Sequence, residues 1–70
     1  MKVVKLRIKE QLDKRGMQQK ELAEMTKIRP ATINDLYHDR SKQIPREVIE
    51  KIANALDIDD INELITIVDE

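Results

Sequence analysis

The stretch Gln18–Tyr37, QQKELAEMTKIRPATINDLY, limits what this chain can fold into more than any other part of it. It reads as two short helices joined by a tight turn. Leu22 and Ala23 on one side face Ile33 and Leu36 on the other, with Ile28 between them and Met25 at the margin of the first apolar face. Ala23 is small, as close crossing of two helices requires. Gln18 and Glu21 are spaced so that the Glu21 carboxylate reaches back to the Gln18 N–H, a variant of the capping box. Pro30 sits where proline is best tolerated, the first helical position, whose N–H lacks a partner in any case.

The rest of the chain supplies what these two helices rest on. Seventy residues make one small domain, spanning 1–70, which buries only roughly 60% of the surface its unfolded chain exposes. With no Phe or Trp and a single Tyr, the core is built from many Ile and Leu side chains, which suits packed helices. From about Leu6, the spacing of Ile8 and Leu12 among Lys9, Glu10, Asp13 and Lys14 predicts an amphipathic first helix, stopped by Gly16. Lys14 and Arg15 there favour a helix C-terminus. After a polar loop from Asp39 to Gln43, Pro45 opens a fourth helix with Val48, Ile49, Ile52, Ala53 and Leu56 buried. Asp57 or Asp59 then caps a short fifth helix with Ile61, Leu64 and Ile65 inward. Ile65–Val68 is β-prone, and paired with Lys2–Lys5 it makes a two-stranded ribbon joining the termini. Such a ribbon is marginal alone and rests on the helices or on a second chain. The expected fold is all-α, five helices with this terminal ribbon.

Several chemistries are excluded or disfavoured. Without cysteine there is no disulfide, thiolate metal site or thiol nucleophile, which points to the cytoplasm. His38 is the only histidine and no Gly-rich phosphate loop occurs, so neither an enzyme, a metal site nor a cofactor is expected. The apolar runs are far shorter than the ~20 residues that span a bilayer, and Met1-Lys2 leads into no signal-peptide core.

Net charge is −1, but the average conceals a division. Met1–Arg46 holds twelve basic residues against six acidic, a balance of +6, whereas Glu47–Glu70 holds one basic against eight acidic, a balance of −7. Opposite fields of this size suggest one end facing a polyanion and another facing solvent or a partner protein. Along the third helix, Ala31, Thr32, Asn34, Asp35 and His38 look outward. Thr, Asn and Asp are poorer helix formers than the Glu and Lys of an ordinary solvated surface, so they need another reason to be there. Reading base edges is one; a plain polar surface is the alternative.

These residues carry a resemblance. Gln19–Glu24, Ile28–Ile33, Leu36-Tyr37 and Ile52–Ile58, in this order and spacing, resemble the Cro/C1-type (XRE family) helix-turn-helix regulators of bacteria and temperate phages, in particular members made of the DNA-binding domain alone. The resemblance covers roughly Leu6 to Leu64, with the helix-turn-helix at about 18–37. Three positions depart from the family pattern. Lys27 replaces the usual turn glycine, Arg29 a small cap, and Asp39 the glycine common after the third helix. A residue with a Cβ at a turn requiring positive φ costs about 1 kcal/mol.

The resemblance implies control of transcription by binding a double-stranded DNA operator with the third helix in the major groove. Repression is the expected effect, and a homodimer the expected form, because one short helix reads only a few base pairs. Base reading falls to Arg29, Ala31, Thr32, Asn34 and Asp35. Arg suits guanine, Asn adenine and Asp cytosine N4, while Ala31 can at most meet a thymine methyl. Gln18, Gln19, Lys20, Lys27, His38, Arg40 and Lys42 are the expected phosphate contacts, with Gln19 also able to brace the base-reading side chains. A second class of function is a protein-interaction module, antitoxin-like or bound to a phage regulatory partner, in which the acidic C-terminal half binds the partner and DNA contact is secondary. The two readings differ in where the basic side chains gather: around the third helix for the first, scattered for the second.

Overall fold

The computed structural model describes residues 1–70. Strand β1 (Lys2–Leu6) leads into helices α1 (Ile8–Arg15), α2 (Gln19–Thr26), α3 (Pro30–Tyr37) and α4 (Arg46–Leu56), followed by one 3₁₀ turn at Ile61–Glu63 and strand β2 (Ile65–Asp69). The strands pair antiparallel, Lys2 opposite Asp69 and Leu6 opposite Ile65, so the termini meet in the expected ribbon.

One apolar stripe from each helix makes the core: Ile8 and Leu12 from α1, Leu22 and Ala23 from α2, Ile33 and Leu36 from α3, Ile52 and Leu56 from α4, closed by Ile58 and Leu64. Each large side chain fully buried there contributes about 1.5–3 kcal/mol. This common core fixes the angle between α2 and α3, and thereby the face that α3 shows to solvent.

The helix ends explain the connections. Left-handed residues stop α1 at Gly16 (φ 62°), α2 at Lys27 (φ 62°) and α4 at Asp57 (φ 55°), and Asp39 (φ 58°) follows the last turn of α3. At three of these ends the chain turns back so that a later N–H returns to the last helical turn. Met17 N–H donates to the Leu12 carbonyl (2.9 Å), Ile58 N–H to Ala53 (2.9 Å) and Arg40 N–H to Asp35 (2.8 Å). Met17 and Ile58 then pack on the core, the apolar contact that goes with this turn.

Lys27 is the most strained of these residues, because Asp tolerates positive φ better than Lys. Lys27→Gly is expected to relieve about 1 kcal/mol of strain and to lose part of that gain to the greater freedom of glycine in the unfolded chain. A net rise in Tm of about 2–4 °C should follow in thermal melts. An unchanged or lower Tm would contradict the left-handed turn.

Four expectations are corrected. The fifth α-helix is a single 3₁₀ turn, capped by Asp60, whose Oδ1 accepts from Asn62 N–H (2.9 Å), and not by Asp57 or Asp59. A helix needs more than one turn to repay its nucleation, and the β-branched run from Ile65 draws the chain into the ribbon first. Ile61, expected inward, is 59% exposed. Met25 is also exposed, and Val48, Ile49 and Ala53 are only half-buried.

Periodicity also passed over a polar cluster within the core. Gln11 is buried, its Nε2 donating to the Glu63 carbonyl (2.8 Å) and its Oε1 accepting from Arg15. Arg15 continues to the Leu56 carbonyl (3.1 Å), and Arg7 donates to the Asn62 carbonyl (2.8 Å). One side of α1 therefore satisfies carbonyls in the C-terminal segment that would otherwise lack partners. Arg7 also pairs with Glu10, whose carboxyl that guanidinium holds below the usual carboxylate range. Two basic residues of the N-terminal half are thus committed to the fold.

Candidate nucleic-acid interface

The site is built on α3 and on the two turns that flank it. Pro30 begins the helix, with Arg29 as an extended, exposed residue before it. Arg29 and Pro30 share an open cleft with Lys20, Ala23, Glu24, Lys27 and Ile28. The left-handed Lys27 creates this cleft by turning the chain sharply between α2 and α3. Thr26 reinforces the turn, its hydroxyl donating to the Leu22 carbonyl (2.7 Å) and accepting from Ile28 N–H (3.3 Å). Three cations, Lys20, Lys27 and Arg29, consequently stand together at the N-terminal end of α3.

Along the helix, Ala31 and Asp35 are exposed, Thr32 and Asn34 half-buried, and Ile33 and Leu36 buried. Asn34 is held from both sides. Its Nδ2 donates to Gln19 Oε1 (3.0 Å) at the start of α2, and its Oδ1 accepts from Arg40 (2.5 Å) beyond the end of α3. Arg40 also lies 3.5 Å from Asp35 Oδ1, an exposed and therefore weak ion pair. The left-handed Asp39 is what folds Arg40 back over the last helical turn. Asp39 in turn accepts from Leu6 N–H (3.3 Å) through Oδ1, tying this turn to β1.

A carboxamide has two donor hydrogens and two acceptor lone pairs. Gln19 and Arg40 use one of each, and the others remain on Asn34 in an orientation fixed by two bonds. This is the complement that the N6 and N7 of adenine require.

At the other end, Tyr37 is half-buried and its hydroxyl donates to Asp13 Oδ1 (3.2 Å). Burial, together with the nearby Asp13 carboxylate, raises the phenol above its ordinary range, so it stays a donor. Its ring meets His38 edge to face at 5.0 Å. Gln18, Gln19 and Lys20 border a second open cleft with Asp13, Met17 and Tyr37. Gln18 N–H donates to Glu21 Oε1 (3.3 Å), the reach-back contact expected from their spacing. His38 and Lys42 are exposed.

Of the sequence-predicted residues, Arg29, Lys20 and Lys27 come together at one end of α3, and Gln19, Asn34, Asp35 and Arg40 form one hydrogen-bonded group. Lys42 joins neither. Four basic side chains, Lys20, Lys27, Arg29 and Arg40, flank α3, whereas Lys2 and Lys5 lie on β1 and Lys9, Lys14 and Arg15 on α1. Asp39, expected as a polar loop residue in place of a glycine, also bonds β1, a contact that leaves no mark in local sequence, since Leu6 is distant along the chain.

A family model described as Cro/C1-type HTH DNA-binding domain matches residues 7–70. No curated protein and no solved structure gives a significant match.

Proposed function

The chain belongs to the Cro/C1-type helix-turn-helix DNA-binding family and is a DNA-binding regulator, and from that premise we propose that it represses transcription as a homodimer, each protomer laying α3 in the major groove of an operator half-site. The observation that carries this reading is the Gln19–Asn34–Arg40 group, a carboxamide held in one orientation by two hydrogen bonds, and adenine N6 and N7 are assigned to it. Arg29 stands at the N-terminal end of α3, the end that recognition helices bring to base edges, and is assigned guanine O6 and N7. Ala31 meets a thymine methyl, Thr32 a neighbouring edge, and Asp35 a cytosine N4. Gln18, Lys20, Lys27, His38, Arg40 and Lys42 bind phosphates and set the register.

Salt tests the electrostatic part. With about four phosphate-bound cations per protomer, Lys20, Lys27, Arg40 and Lys42, log K for duplex DNA should fall against log[salt] with a slope of about −4 for one protomer and about twice that for a dimer. Fluorescence anisotropy titrations across a salt series measure it. A slope near zero would exclude α3 and its flanking cations as the contact surface.

A further inference from the structure

The bond directions around Asn34 fix more than the base it suits. The Arg40 guanidinium carries donors only, so the Asn34 atom 2.5 Å from its Nη2 is the carbonyl oxygen Oδ1. That leaves Nδ2 facing Gln19, whose Oε1 accepts at 3.0 Å. Turning the carboxamide end for end would set donor against donor at Arg40. Both anchors are themselves held, since Gln19 begins α2 and the Arg40 backbone N–H donates to the Asp35 carbonyl (2.8 Å) in a turn that Asp39 ties to β1. Arg40 Nε and Nη1 take no part in the brace, so holding Asn34 and meeting a phosphate do not compete.

We infer, resting on the adenine reading proposed above, that the Gln19–Asn34–Arg40 brace makes operator binding sensitive to methylation of the half-site adenine at N6, so that an operator methylated there is released. In a base pair one N6 hydrogen is bound to thymine, and the other, beside N7, is the one that the major groove presents. Asn34 Oδ1 accepts from that hydrogen while Nδ2 donates to N7. A methyl group on N6 takes the place of the same hydrogen if the pair with thymine is kept. For a hydrogen bond of about 2.9 Å and a C–N bond of about 1.45 Å, the methyl carbon then falls roughly 1.5 Å from Oδ1, where a carbon–oxygen contact needs roughly 3.3–3.6 Å. The oxygen must retreat by roughly 2 Å, and a planar carboxamide does so only by breaking its bond to Gln19 or to Arg40. A free asparagine swings aside and loses one contact; the braced one meets a clash as well. Methylation by a separate adenine-N6 methyltransferase thereby becomes a chemical input to the regulator.

Anisotropy titrations of the full chain against three duplexes test the effect: the operator recovered by selection, the same duplex with N6-methyladenine at the read position of one half-site, and the same duplex methylated at an adenine outside both half-sites. The second should bind about 10–100-fold more weakly than the first, the size of one lost bidentate contact, and the third should bind like the first. Asn34→Ala should bind the first two alike. Gln19→Ala, which frees the carboxamide to swing, should show a methylation penalty several-fold smaller than the parent's. A parent whose preference for adenine is lost in Asn34→Ala, yet which binds the methylated half-site as tightly as the unmethylated one, overturns the inference and spares the adenine reading. An equal penalty in the parent and in Asn34→Ala overturns it as well, because the effect then lies in the shape of the duplex. A parent penalty that Gln19→Ala leaves unchanged overturns the role of the brace. Absence of any adenine preference that depends on Asn34 overturns the adenine reading itself, and the inference with it.

Discussion

Ile33→Ala is expected to leave much of the protein unfolded at physiological temperature. Ile33 is fully buried on the inner side of α3 and belongs to the core formed with α1, α2 and α4. Truncating such a side chain costs about 2–5 kcal/mol, the lost transfer energy plus the cavity left behind. A domain of this length has roughly 4–10 kcal/mol in total, at about 0.05–0.15 kcal/mol per residue. Ile33→Val, which keeps most of the volume, should cost only about 1 kcal/mol and stay folded. Circular dichroism melts of the two variants decide the point. A near-parental Tm for Ile33→Ala would mean that α3 is not clamped by its inner face, and the orientation of its outer face would lose its explanation.

The second large effect concerns recognition. Asn34→Ala is expected to weaken binding to the specific operator by about 10–100-fold, the worth of one bidentate base contact of roughly 1–3 kcal/mol, with much less loss on random duplex. Gln19→Ala should weaken operator binding less, because it frees the carboxamide without removing it. Once Asn34 is alanine, Gln19→Ala should add almost nothing, since residues acting as a unit are not additive. Affinities of the four proteins on operator and random DNA complete the cycle. Equal losses of Asn34→Ala on both DNAs would reduce Asn34 to a structural strut between α2 and Arg40.

Local signals in the sequence accounted for the parts of the fold that local physics controls. The spacing of Gln18 and Glu21 foretold their contact, Gly16 and Pro30 marked a helix stop and a helix start, and the β-branched ends paired as the ribbon. What escaped depends on residues far apart in the chain. Nothing local marks Gln11 as buried, because its partner, the Glu63 carbonyl, belongs to a segment whose position only the tertiary fold sets. Arg15 suited a helix C-terminus by charge and in fact serves that of α4 as well, through Leu56. The fifth helix failed because four residues between Asp60 and β2 are too few to propagate one. In the candidate site, the polar residues of α3 were legible as a group. Their division of labour was not, because Asn34 is held by Arg40 only after the left-handed Asp39 reverses the chain.

The central claim is that α3 reads sequence, and selection of bound fragments from a random duplex library tests it most directly. The account predicts a two-fold-symmetric consensus with an adenine in each half-site that loses its preference when the selection is repeated with Asn34→Ala. Recovery of no consensus, with retention set by salt alone, would contradict it.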